Sequence, residues 1–126
     1  MKDLILVSHG NLSKELKKSV EMIMGPQNKI HTLSLKEGES PDEFGSEFKE
    51  LTSNLDDYVV FADLLGGTPC NVVTNIILSN HLNIDIFTGM NMPMIVGYIN
   101  SAMTDQSPQP VQSGKDGITY VNEIVK

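Results

Sequence analysis

The chain has 126 residues, 40% hydrophobic and 20% charged, with 16 Asp and Glu against 9 Lys and Arg and a formal charge of −7. That length suits a single domain with its own core, and the acidic balance excludes a protein that grips nucleic acid through a basic patch. Cys70 is the single cysteine, which excludes an intrachain disulfide and fits a reducing compartment. No segment reaches the roughly 20 apolar residues of a membrane span. The apolar run in MKDLILVSHG is too short for a signal-peptide core, so a cytoplasmic location is expected.

In chain order, LILV (4–7) is a continuous apolar run, as expected of a strand buried on both faces. It surfaces at Ser8-His9-Gly10, where a core strand has no need of a histidine. From Asn11 the period becomes helical, with Leu12, Leu16, Val20 and Ile23 on the predicted buried face and Gly25-Pro26 as the stop. IHTLSL (30–35) is the second strand. SPDE (40–43) then reads as a capping box with Pro41 in the first turn, opening a helix that buries Phe44, Phe48, Leu51 and Leu55. The third strand is YVVFADL (58–64), followed by GGTPCNVVTNIILSN (66–80), a helix with Thr68 as its expected N-cap and Pro69 as its first residue. IDIFTG (84–89) is a fourth strand, leading to a helix from about Asn91 to Met103. The stretch TDQSPQPVQSGKDG reads as non-helical for its Pro, Gly and Gln, and GITYVNEIV (117–125) as a last strand.

Strands alternating with helices define an α/β fold: a doubly wound, mostly parallel sheet of about four strands plus a C-terminal edge strand, with helices on both faces. There is no internal repeat and no domain boundary, so residues 1–126 are read as one domain. In such a sheet every strand's carboxyl end lies on one edge, where ligands bind. The rule brings together SHG, DLLGGTP and TGMNMP, and with them His9, Asp63, Gly66, Gly67, Thr68 and Asn91.

Phosphoryl chemistry suits that set. An accepting histidine needs one neutral ring nitrogen toward the donor and an acceptor, here Asp63, for the proton on the other. Glycines 66 and 67 allow a close backbone approach to an anion, and the helix opening near Pro69 points free N–H groups at it. Each residue also has a plainer role: His9 as a surface side chain, Asp63 as a turn cap, GGTP as an ordinary strand-to-helix turn lacking the Lys-Ser/Thr of a P-loop. The convergence at one edge favours the chemical reading. His31 and His81 read as structural, Met90, Met92 and Met94 as packing, and no His/Cys spacing fits a metal ion.

Taken together, LILVSHG, DLLGGTPCN (63–71) and TGMNMPM (88–94) resemble the mannose-family enzyme IIA (EIIA) of the bacterial phosphoenolpyruvate-dependent sugar phosphotransferase system. The resemblance runs from about Met1 to Met103. It implies a phosphoryl relay without cofactor or metal, in which His9 accepts the group from the carrier protein HPr and passes it to the IIB component. Asp63 is then the hydrogen-bonded partner of His9; Gly66, Gly67 and Thr68 flank the phosphoryl group, and Asn91 lies nearby. Contact with the membrane is implied only through the transporter.

A homodimer is also expected. Relatives often carry a further helix before the final strand, which in some is exchanged between subunits, whereas Thr104 to Gly117 here reads as non-helical. No IIB-like domain follows Lys126, so a free-standing IIA subunit is expected. The alternatives are the phosphoryl-transfer subunit of a dihydroxyacetone kinase, against which DLLGGTP argues, and a regulatory phosphohistidine module. A histidine phosphatase or mutase, whose strand ends in Arg-His-Gly, is disfavoured by Ser8 in place of the arginine.

Overall fold

The computed structural model describes residues 1–125. Four parallel strands form one sheet in the order β2-β1-β3-β4: β1 (Asp3–His9), β2 (Ile30–Leu35), β3 (Tyr58–Ala62) and β4 (Asp85–Phe87). The chain winds outward from β1 to β2, then crosses back over β1 to β3 and continues to β4. That reversal opens a crevice between the carboxyl ends of β1 and β3.

The side-chain alternation of β1 and β3 explains why their sequences are apolar throughout. Leu4, Leu6, Val59 and Phe61 face α1 (Leu12–Met24) and α4 (Met92–Met103), where Val20, Ile95, Tyr98 and Ile99 complete one core. Ile5, Val7, Val60 and Ala62 face α2 (Pro41–Thr52) and α3 (Thr68–Ser79), against Phe44, Phe48, Cys70, Val73 and Ile77. Both faces are covered, as a parallel sheet requires. Cys70 is a buried packing residue in the second core.

The punctuation follows the local sequence. Ser40 accepts from the Glu43 N–H at 3.1 Å while the Glu43 carboxylate accepts from the Ser40 N–H at 3.2 Å, so SPDE forms both halves of the capping box. Gly25, at φ +82°, ends α1 in a conformation that glycine tolerates.

Four local readings need correction. Leu12 and Ile23 of α1 are exposed, and the inward face carries Ser13, Leu16, Val20 and Met24. Ser13 turns in because its N–H and hydroxyl bond to β1 and β2, which rotates the stripe away from Leu12. Gly67, not Thr68, is the N-cap of α3, and Thr68 is its first residue, with no side-chain cap bond.

The TDQSPQPVQSGKDG stretch contains a helix, α5 (Pro110–Asp116), where a non-helical segment was expected. Pro110 sits in its first turn, and Gly97 and Gly114 allow its backbone to lie against α4. Packing overrides the weak helix propensity of this segment.

The expected fifth strand is absent among the described residues. GITYVNEIV includes a short helix, α6 (Val121–Ile124), and pairs with none of the four strands. A strand needs a ladder partner, and within one chain this segment has none.

Candidate active site

His9 is the last residue of β1, and Asp63 immediately follows β3. The two strands pair in parallel, Val7 opposite Ala62, so the residues that follow emerge side by side in the crevice. The His9 Nδ1 lies 2.7 Å from Asp63 Oδ2, and the His9 backbone N–H donates to the same oxygen at 2.9 Å. Asp63 Oδ1 accepts from the Leu64 N–H at 2.9 Å. Its side chain is 7% exposed, that of His9 48%.

Burial pushes the Asp63 carboxyl up, but the hydrogen bonds from the His9 backbone, the His9 ring and the Leu64 N–H outweigh it. The acid lies below its ordinary value. An ionised carboxylate has no proton to give, so Nδ1 carries the hydrogen of the 2.7 Å bond. In the neutral ring, Nε2 is then the nitrogen with the free lone pair.

That nitrogen lies beside Gly67. A Cβ built at Gly67 would stand 2.7 Å from His9 Cε1 and 3.4 Å from Nε2, so the glycine backbone flanks the Cε1–Nε2 edge of the ring. Gly66, at φ +87°, makes the turn that brings the loop there. Pro69 has no N–H, but Thr68 and Cys70 in the first turn of α3 contribute free donors at the helix's positive end. His9, Asp63, Gly66, Gly67 and Thr68 are therefore gathered in one crevice.

Asn91 is the N-cap of α4. Its Oδ1 accepts from the Met94 N–H at 2.9 Å, capping α4, and its Nδ2 donates to the Gly114 carbonyl at 3.2 Å in α5. Both bonds tie the loop after β4 to helices, and neither goes to His9. The loop itself reaches β3, where the Met90 N–H donates to the Ala62 carbonyl at 3.1 Å.

Asn71 and Ser8 shape the loops on either side of the ring. Asn71 Nδ2 reaches back one turn to the Gly66 carbonyl at 3.2 Å and holds the glycine loop onto α3. Ser8, fully buried, donates to the Gly10 carbonyl at 3.1 Å and accepts from the Ser13 N–H at 2.8 Å. An Asn in the first turn of a helix and a Ser at a strand end were the available signals.

The other histidines lie elsewhere. His31 Nε2 is 2.7 Å from Asp3 Oδ2 towards the amino end of the sheet. His81 is exposed just after α3.

Fold and crevice together define a small doubly wound α/β protein with a histidine–aspartate pair at the reversal of strand order. The chain belongs to the EIIA-man family, described as the PTS system fructose IIA component, which matches residues 3–113. It is a mannose/fructose-type EIIA component, and at the level of that family a component of a phosphotransferase. The PTS system mannose-specific EIIAB component of Escherichia coli K12 is 23% identical over 123 aligned residues. The match takes in 91% of this chain and 38% of that protein, so the chain spans well under half the length of the curated relatives it matches.

Among solved structures, the PTS IIA protein associated with the fucose utilization operon of Streptococcus pneumoniae is 30% identical with a TM-score of 0.84, covering 99% of this chain and 96% of that one. The EIIA of Streptococcus agalactiae has a TM-score of 0.86 at 24% identity, covering 98% and 99%, and shares the fold. No helix among the described residues is long and apolar enough to cross a membrane.

Two outcomes follow from this geometry. Gly67→Ala places a Cβ 2.7 Å from His9 Cε1, a contact too close to stand, so the exposed ring has to shift from its present position beside Asp63. Circular dichroism of that variant should match the parent while the His9 imidazole resonances shift. Unmoved resonances would show that the backbone does not crowd the ring. For Asp63 the folded value is depressed, so its stabilising contribution is present above the ordinary carboxyl value and lost as pH falls through the folded one. Asp63→Asn should therefore lose less stability than the parent between neutral pH and the region below about pH 4, measured by urea unfolding at each pH.

Proposed function

We propose that His9 accepts a phosphoryl group on Nε2 from phospho-HPr and hands it to the IIB component of a sugar transporter. The observation that carries this reading is the 2.7 Å bond from Nδ1 to Asp63 Oδ2, which leaves Nε2 as the free nucleophile beside Gly67. In the transfer, the lone pair of Nε2 forms the new N–P bond as the bond to the donor histidine of HPr breaks. The proton on Nδ1 stays in place. Positive charge gathered by the ring is offset by the Asp63 carboxylate, and the phosphoryl oxygens face the N–H groups of the Gly67–Thr68 segment. The donor histidine leaves with its pair of electrons, so atoms and charge balance without a further reactant.

Access supports two successive partners at one ring. Leu64 and Leu65, which follow Asp63, are 51% and 78% exposed, giving apolar contact beside the nucleophile. The sugar is set by the membrane components, since the group passes to IIB before it meets substrate.

The same reading includes a homodimer in which the C-terminal segment lies on a second subunit. Ile118, Tyr120, Val121, Ile124 and Val125 are all exposed on the single chain, and β4 is a sheet edge with no outer neighbour among the described residues.

Incubation with phosphoenolpyruvate, enzyme I and HPr should add one acid-labile, base-stable phosphoryl group to the protein and none to His9→Ala. Labelling of His9→Ala at the parental level would assign the chemistry to another residue. For assembly, a chain ending at Gly117 should scatter light as a monomer where the full chain scatters as a dimer. A dimeric truncated chain would place the interface elsewhere.

A further inference from the structure

Ser8 and His9 are neighbours on β1 whose side chains point to opposite faces, one fully buried and the other half exposed. The Ser8 hydroxyl donates to the Gly10 carbonyl at 3.1 Å and accepts from the Ser13 N–H at 2.8 Å. It therefore brackets His9, binding the residue just after it and the first turn of α1. Asn11, the N-cap of α1, makes no side-chain cap bond, so Ser8 supplies from the strand what a cap residue supplies from the helix. Gly10, at φ +56°, turns the chain between the two, and its N–H donates to the Leu35 carbonyl at 2.8 Å.

We propose that Ser8 is a positioning residue for His9: the two hydrogen bonds of its buried hydroxyl set the strand-to-helix turn whose geometry aims the imidazole between Asp63 and Gly67. Losing the hydroxyl leaves the Gly10 carbonyl and the Ser13 N–H without this partner, and the turn relaxes to find others. His9 has its own backbone inside that turn. A small rotation there swings the ring edge, because the side chain extends the displacement of the Cα–Cβ bond. Group transfer is sensitive to shifts of about 1 Å at the reacting atom.

The structure contains its own control. Ser34 pairs in register with Ser8 on β2, lies on the same face and is 4% exposed, yet its hydroxyl has no hydrogen-bond partner. Replacing Ser34 removes an equally buried hydroxyl without touching the turn.

The rate arm of the test rests on the phosphoryl-transfer reading; the spectroscopic arm does not. Ser8→Ala, Ser8→Thr and Ser34→Ala are compared with the parent for initial rate of phosphorylation by phospho-HPr. The ¹⁵N imidazole resonances of unphosphorylated His9 are recorded in parallel. Ser8→Ala should lower the rate roughly 10-fold and move the ring signals away from the single tautomer with hydrogen on Nδ1. Ser8→Thr, which keeps the hydroxyl on a side chain suited to a strand, should restore both. Ser34→Ala should match the parent.

Parental rate and ring signals in Ser8→Ala would overturn the assignment. So would a folded Ser8→Thr as slow as Ser8→Ala, or an equal loss in Ser34→Ala. If the parent itself takes no phosphoryl group, the functional reading fails. The ring signals of Ser8→Ala still decide the role of Ser8.

Discussion

The carboxylate of Asp63 holds the site together. It is nearly buried, and three donors converge on it: two from His9 and one from Leu64. A buried anion with so few donors removed would carry a large desolvation penalty, so each bond also stabilises the other two. The double contact with His9, through both backbone and ring, joins the ends of β1 and β3 and fixes the ring's tautomer at once. The reversal of strand order supplies the gap in which this happens. The crossing helices α2 and α3 close one face of the sheet behind it, and the first turn of α3 is thereby aimed at the ring.

The second histidine–carboxylate pair in the molecule helps to separate ingredients from site. His31 and Asp3 have the same 2.7 Å separation, and both are largely shielded. That pair ties β2 to β1 near the amino end of the sheet, away from the crevice. A hydrogen-bonded imidazole is therefore a common structural joint. What distinguishes His9 is the Gly66–Gly67 backbone drawn up against the ring and held there by Asn71.

Much of this was legible in the sequence because the features are short-range or follow from topology. The runs LILV and YVVFA announce strands covered on both faces, and the alternation of elements places His9, Asp63 and the GGTP loop on one edge. The capping box at Ser40 and Glu43 was legible for the same reason, since it lies within four residues. Legibility ended where packing decides. Ser13 displaced Leu12 from the inward face of α1 because its polar atoms had partners on the sheet, which a hydrophobic period cannot register. Asn91 sits on the right edge but is held by Met94 and Gly114, and Gly114 belongs to a helix that composition alone argues against. GITYVNEIV has strand-like residues, yet strand formation depends on a neighbour that a single chain does not supply.

The His9–Asp63 contact bridges 54 residues of chain, and between its two ends lie β2 and both helices that flank it. Contacts of such long separation form only after the intervening loop has been closed, which makes them slow steps in folding. The first βαβ unit, residues 3–35, can place His9 at a strand end but lacks Asp63, the carboxylate that orients it. An incompletely synthesised or locally unfolded chain thus displays the histidine without the partner that fixes its ring. The orientation of the ring arrives together with tertiary structure, and no fragment short of β3 carries it.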